Sequence, residues 1–225
     1  MQRGKGEMVR GDLFVMTGAS GVGKGTLRAR LMERVKLRYS ISMTTRPPRE
    51  GERHGVDYWF VDEATFERIK REGGFLEHAT YVGYSYGTPK APVERALARG
   101  EDVLLEIEVQ GALQVAEKMP EAQLIFVIPP SLSELRQRLL LRGKDSLEKI
   151  EKRLERAREE IALADRFHYV VVNDLLADAV ADLERIILTR RRIVKRMRPA
   201  LERALERDPD LEAELDEIAK RMQGR

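Results

Sequence analysis

The run Gly18-Ala19-Ser20-Gly21-Val22-Gly23-Lys24-Gly25-Thr26 has the residue types and spacing of a phosphate cradle. Its glycines let the backbone turn tightly and aim successive N–H groups inward, toward phosphate oxygens. Lys24 adds a mobile cation suited to the β- and γ-phosphates of a nucleoside triphosphate. A Ser or Thr commonly follows such a lysine and ligates magnesium; here Gly25 stands there and the hydroxyl comes one place later, at Thr26. Mg2+ accompanying the nucleotide is therefore expected to be held more through water and phosphate than by this loop, with Thr26 as a candidate contact through water; motors, GTPases, transporters and small-molecule kinases all use such a loop. Other chemistry has few candidates. The chain has no cysteine, which excludes thiolate nucleophiles, disulfides and cysteine-ligated metals, and His54, His78 and His168 are too scattered for a metal cluster.

A cradle of this kind needs a strand before it and a helix after it. Asp12 to Thr17 reads as a buried strand, and Lys24 to Val35 carries Leu27, Leu31 and Val35 at helical spacing. Further apolar strands are predicted at Val103 to Ile107, Leu124 to Ile128 and Tyr169 to Val172, with helical patterns between them. That alternation predicts a parallel sheet covered by helices on both faces. Ser131 with Glu134 forms a capping box for a helix reaching about Arg142, with Gly143 as its stop. Two stretches break the alternation. Tyr39 to about Lys90 holds a polar, basic loop from Met43 to Gly55, aromatic strands at Tyr58 to Val61 and Phe75 to Tyr86, and between them a short helix from Glu63 capped by Asp62. Arg136 to about Ala164 is rich in arginine, and its second half reads as one charged amphipathic helix. Beyond Arg190 a charged helical tail is expected to break at Pro199 and Pro209.

Composition limits the rest. The 225 residues are 42% hydrophobic, enough for one sizeable core, and 41 basic against 38 acidic side chains leave a net charge of +3. That balance argues against a nucleic-acid-coating protein, although Arg190-Arg191-Arg192 would resemble such a patch in isolation. There is no run of eighteen apolar residues and no apolar leader at the N-terminus, so a cytoplasmic protein is expected. Arginine exceeds lysine and Asn173 is the sole asparagine, a bias shared by thermophiles and GC-rich genomes.

The segment Ser42-Met43-Thr44-Thr45-Arg46-Pro47-Pro48-Arg49, followed by Gly51-Glu52, Gly55 and Asp57-Tyr58, resembles the acceptor-binding motif of guanylate kinases. So do Phe75-Leu76-Glu77, Tyr84-Ser85-Tyr86-Gly87-Thr88, Leu105-Glu106-Ile107-Glu108-Val109-Gln110-Gly111 and Val172-Asn173-Asp174-Leu175. The resemblance spans roughly Leu13 to Leu188, in the family's order. It implies an α/β P-loop nucleoside monophosphate kinase fold, with an inserted GMP-binding subdomain and a lid, that transfers the γ-phosphoryl group of ATP to GMP or dGMP. Read onto this chain as a single domain over 1–225, it gives a core at about 9–40, 91–136 and 166–198. The GMP-binding insertion is expected at about 41–90, the lid at about 137–165 and a helical tail at 199–225. Both insertions are expected to close on their ligands.

The resemblance also implies roles. Ala19 to Thr26, Arg138 and Asn173 would bind ATP. Arg46 and Arg49 present planar forks for the acceptor phosphate, and Tyr58 and Tyr86 match two phenols that bond the same group. Glu77 matches the base-recognition carboxylate. Guanine offers adjacent N1–H and N2–H donors, whereas adenine presents an acceptor at N1 that would leave a carboxylate unpaired. Ser42 and Thr88 match hydroxyls around the base, Thr88 standing where serine is commoner. Glu106 and Glu108 close a buried strand and are placed with GMP; the family usually has Asp at the second position, so the role of Glu108 among base, ribose and magnesium-water contacts stays open. Arg142 and Arg153 correspond to lid arginines which, with Lys24 and Arg46, would neutralise charge on the moving phosphoryl group. The acceptor phosphate is largely a dianion at neutral pH, so no general base is nominated.

Each residue alone has a plainer reading: Arg46 and Arg49 as a solvated loop, Tyr58 and Tyr86 as strand aromatics, Glu77 as a surface charge, Arg153 as one more charge on an exposed helix. In order behind a phosphate loop they read as one site. Thymidylate and adenylate kinases explain Arg46, Arg49, Tyr58 and Glu77 less well. Guanylate-kinase-like binding modules of scaffold proteins characteristically have degraded phosphate loops, and Lys24 is present here. The expected partners are ATP and GMP or dGMP, with neither nucleic acid nor membrane, in a monomer or homodimer.

Overall fold

The computed structural model describes residues 9–143, 145–205 and 209–223. In chain order its elements are β1 (Leu13–Gly18), α1 (Lys24–Arg34), β2 (Arg38–Tyr39), β3 (Met43–Thr44), β4 (Trp59–Phe60), α2 (Glu63–Arg71), β5 (Phe75–Tyr81), β6 (Tyr84–Pro89) and α3 (Lys90–Ala98). They continue with β7 (Val103–Glu106), α4 (Val109–Lys118), β8 (Gln123–Ile128), α5 (Leu132–Leu141), α6 (Leu147–Ile161), β9 (Tyr169–Val172), α7 (Leu176–Arg190), α8 (Val194–Leu205) and α9 (Pro209–Gln223).

Five strands form a parallel sheet in the order β2-β7-β1-β8-β9. Every residue of β1 is buried, as a central strand covered on both faces requires. The period-two alternation sorts its side chains: Phe14 and Met16 pack with Leu27 and Leu31 of α1 and Leu183 and Ile187 of α7, while Leu13 and Val15 pack with Val93 and Leu97 of α3 and Ala112 and Val115 of α4. The helices α5 and α6 make a third cluster in which Leu135, Leu139, Ile150 and Ala157 close over Ala19. The loop between β1 and α1 thus lies at the carboxyl end of the central strand, where open parallel sheets place ligands.

A second, four-stranded sheet has the order β4-β3-β6-β5. It accounts for the break in alternation between Tyr39 and Lys90, with two corrections. Met43 to Gly55 is not wholly loop, since Met43 and Thr44 pair with β4 and β6; a two-residue strand is too short to leave an alternating pattern in sequence. Phe75 to Tyr86 is not one strand but a hairpin, β5 pairing with β6 around a turn at Val82 and Gly83. Both turn residues have positive φ, 49° and 78°. A β-branched residue there is strained, and so gave no turn signal. Asp62 caps α2 by accepting the Thr65 N–H, and Phe66 stacks on Phe75.

Ser131 caps α5 by accepting the Glu134 N–H, but the Glu134 side chain turns instead to Arg138 at 3.0 Å. Gly143 follows α5 with φ of 61°. β7 stops at Glu106, and Glu108 is the N-cap of α4.

The chain divides into two compact units, the one above extending to Leu188 and the other containing 189–225. In the latter, α8 carries Pro199 inside it, against the expected break there. The N–H that proline lacks would have bonded the carbonyl of exposed Lys195, which water can satisfy. Pro209 begins α9, the position at which a helix tolerates proline. Among the described residues no helix is long and apolar enough to cross a membrane.

Candidate functional site

The phosphate loop is shaped by close backbone approaches. Gly18 has φ of 150° and a Cβ there would lie 2.1 Å from the Val127 carbonyl oxygen; Gly23, at φ 96°, is the left-handed residue from which α1 starts. The Lys24 ammonium donates to the Gly18 carbonyl at 2.7 Å and to that of Ala19 at 3.4 Å, so it curls over its own loop. Thr26 is exposed in the first turn of α1. Asn173, buried just past β9, donates its amide to the Val22 carbonyl at 2.7 Å, while Arg138 donates to the Asn173 carbonyl at 2.7 Å and to that of Asp174 at 3.4 Å. Loop, strand end and α5 are thereby fastened to one another, which brings Arg138 and Asn173 to the phosphate loop.

Across the site the second sheet presents a cation among phenols. Thr44 donates its hydroxyl to the Ser85 carbonyl and accepts the Arg46 N–H, which fixes the backbone as it leaves β3. The Arg46 guanidinium is buried, 5.5 Å from the Tyr58 ring centre and 5.8 Å from that of Phe60. Tyr58 and Tyr86 meet edge to face at 6.1 Å. Arg46 donates to Glu52 Oε1 at 2.8 Å, and the Arg49 N–H donates to Glu52 Oε2 at 2.7 Å. Burial works against the Arg46 charge, but the bonds to Glu52 and Tyr86 outweigh it and raise its pKa. The Arg49 side chain is exposed, and Ser42 is half-buried with its carbonyl accepting the Trp59 N–H.

Glu77 lies deeper, 6% exposed on β5. Its Oε1 accepts the Thr88 hydroxyl at 2.6 Å. Burial raises its pKa, against the lowering effect of the Thr88 bond and the Lys118 charge. An acid held this way, with Thr88 as its hydrogen-bonding neighbour through both hydroxyl and backbone, keeps lone pairs for a ligand that brings donors of its own.

Glu106 stands between the two groups. It pairs with Arg28 at 2.9 Å, and its Oε1 comes 3.8 Å from where a Cβ on Gly25 would be. Burial raises its pKa; Arg28 and Lys24 oppose this. Glu108 is exposed and paired with Arg156 of α6 at 2.7 Å. Of the expected lid arginines, Arg153 pairs with Asp145 at 3.1 Å and Arg142 is exposed at the C-cap of α5. The structure therefore gathers Arg46, Tyr58 and Tyr86, joins Glu77 to Thr88, and links the phosphate loop to Arg138 and Asn173. It engages Glu108, Arg153 and the Arg49 backbone with acidic or basic neighbours of their own.

Several further groups, not expected from the sequence, complete the site. Glu52 is the counter-ion of Arg46, although it lies in the same motif six residues on. Gln114 exchanges two 3.1 Å bonds with the His78 backbone and Lys118 donates to the Phe75 carbonyl at 3.0 Å, so α4 clasps β5. Their i,i+4 spacing on one helix face was the available signal. Arg28 and Arg156 gave none among so many arginines.

Magnesium fits this surface as a hydrated ion. Among the described residues no three acidic or histidine side chains could hold a metal by themselves. Thr26 and Glu106 beside the open Cα of Gly25 offer the oxygen ligands magnesium prefers, in a number that leaves it to keep its waters.

The guanylate kinase family model matches residues 10–190. The chain is 68% identical over 216 residues to a guanylate kinase of Thermus thermophilus, covering 96% of this chain and 98% of that protein. It is 57% identical over 175 residues to a guanylate kinase of Deinococcus radiodurans, covering 77% and 73% respectively. A crystal structure of guanylate kinase from Anaplasma phagocytophilum superposes with a TM-score of 0.70 at 32% identity, over 89% of this chain and 98% of that one. With the family match, the parallel sheet and the loop after β1, the fold is that of the P-loop kinases, and the chain belongs to the guanylate kinase family.

Proposed function

We propose that the protein transfers the γ-phosphoryl group of ATP to GMP or dGMP, giving ADP and GDP or dGDP. The observation that carries this reading is the buried carboxylate of Glu77, bonded to Thr88 and set apart from the buried cation Arg46 with its two phenols. One binds the base and the other the phosphate of the same nucleotide. Guanine's N1–H and N2–H both meet the carboxylate, and Ser42 and Thr88 supply hydroxyls around the ring. Adenine would bury an acceptor against an anion, a mismatch worth on the order of 10⁴-fold in discrimination.

The reaction needs position and charge, not a base. The γ-phosphorus–oxygen bond to ADP breaks as an acceptor phosphate oxygen, already ionised, forms its bond to the same phosphorus. Arg46, Arg49, Tyr58 and Tyr86 hold the acceptor in line. Ala19 to Thr26 cradle the ATP phosphates, Arg138 and Asn173 shape the nucleoside side, and Lys24 leaves the Gly18 carbonyl for the β- and γ-oxygens. Thr26, and Glu106 through water, would hold magnesium, which when bound neutralises phosphate charge. We assign 41–90 as the acceptor-binding insertion and 137–165 as the lid. Closure of the lid brings Arg142 and Arg153 toward the transferring group and expels water. Glu108 borders the acceptor end of this cleft. A cytoplasmic setting suits a reaction on free nucleotides.

A coupled assay for ADP release tests the reading. ATP with magnesium alone should give little signal, and addition of GMP should start continuous turnover. A protein that binds GMP without acceptor-dependent ADP release is a binding module, and the proposal fails.

A further inference from the structure

We propose that Gly111 is a positioning residue for base selection, its missing side chain being the space into which the Glu77 carboxylate fits. The inference deepens the reading of Glu77 given above and rests on it.

Gly111 is the third residue of α4 and is not in the left-handed region, so its backbone does not call for glycine. Alanine would suit the helix better, since glycine is the poorest helix former after proline. What alanine would not suit is the neighbour. A Cβ on Gly111 would stand 2.9 Å from Glu77 Oε2, 3.2 Å from its Cδ and 3.3 Å from its Cγ.

The clash cannot be relieved by parting the two elements. Gln114 bonds both the N–H and the carbonyl of His78, and Lys118 bonds the carbonyl of Phe75, so α4 grips β5 on either side of Glu77. Nor is the carboxylate free to turn in place, because Thr88 holds Oε1 at 2.6 Å. A methyl group at 111 therefore moves the carboxylate itself, out of the plane in which two guanine donors reach it together. Glycine at this position gives up helix propensity and secures the approach of an acid that reads the base.

The test is steady-state kinetics of Gly111→Ala, Glu77→Asp and the double variant, with GMP and with IMP, which lacks the 2-amino donor. Gly111→Ala should raise KM for GMP on the order of tenfold to a hundredfold, the loss of one charge-assisted bond, and leave KM for ATP within about twofold. KM for IMP should rise less, so the preference for GMP over IMP narrows. Aspartate is one methylene shorter and withdraws from the added methyl, so the double variant should be impaired by less than the product of the single effects. Should Gly111→Ala alone not fold, the double variant must fold. The inference is overturned by an unchanged KM for GMP, by equal losses for GMP, IMP and ATP, by multiplicative effects in the double variant, or by failure of both variants to fold. If the unaltered protein turns over AMP as well as GMP, the reading of Glu77 itself falls, and this inference with it.

Discussion

The guanidinium of Arg46 meets the carboxylate of Glu52 at 2.8 Å, and the other oxygen of that carboxylate takes the Arg49 N–H at 2.7 Å. One acid thus sets the direction of a buried cation and the path of the loop carrying the next arginine. These bonds hold the Glu52 carboxyl below the usual carboxylate range, the Arg49 N–H contributing most and Arg46 adding to it. Glu52→Gln keeps the shape and removes the charge. It should raise KM for GMP roughly five- to tenfold and leave kcat little changed, because the loss is of uniform binding. A fall in KM would instead mean that Glu52 competes with the acceptor phosphate.

Asn173 donates to the Val22 carbonyl and accepts from Arg138, so it supports the phosphate loop from behind. Asn173→Ala strands that buried carbonyl and should cost about 1–2 kcal/mol of stability. With both nucleotides titrated separately, KM for ATP should rise on the order of tenfold while KM for GMP stays put. Equal effects on the two substrates would show that Asn173 supports the whole fold and not the donor side.

Val82 occupies a left-handed position at the tip of the β5–β6 hairpin, with φ of 49° and its side chain exposed. Asn or Gly adopts that conformation readily where a β-branched residue does not. Val82→Asn should therefore stabilise the protein by about 1 kcal/mol, seen as a rise in Tm of a few degrees, with GMP kinetics unchanged. A lower Tm would remove the claim of strain.

The pKa of Glu77 is raised in the folded chain, so its contribution to stability is complete below the ordinary carboxylate range and is lost as pH rises through the raised value. Glu77→Gln, which cannot ionise, should accordingly melt above the unaltered protein near neutral pH, with the gap closing toward about pH 4. A gap that is constant with pH would show that Glu77 is not the group responsible. Acid should also weaken GMP binding, since only the carboxylate accepts both guanine donors.

Much of this is legible in the sequence. β1, α1 and the loop between them follow from an uninterrupted apolar run, a glycine-rich turn and helical spacing, which are local signals. Ser131 and Asp62 were readable as caps because a cap is a short-range bond. What escaped was long-range or weakly patterned. The two-residue strands β2 and β3 are too short to show a period-two pattern. The turn at Val82 uses a residue that turns avoid, so the hairpin read as one strand. Pro199 signals a break that an exposed helix tolerates. Within the site, types and order identified Glu77, Arg46 and Lys24, but not their partners: nothing local in sequence pairs Arg156 with Glu108 or sets Gly111 against Glu77.

The central claim is that a buried carboxylate chooses the base by its hydrogen-bond polarity. The most direct measurement is kcat/KM for GMP and for AMP in the unaltered protein and in Glu77→Gln, side by side. An amide can donate to adenine N1 and accept from its amino group, so the account predicts a GMP-to-AMP preference that collapses by about 10³-fold or more, through loss of GMP and gain of AMP. A preference that survives the substitution within about tenfold would contradict it and place base selection elsewhere in the molecule.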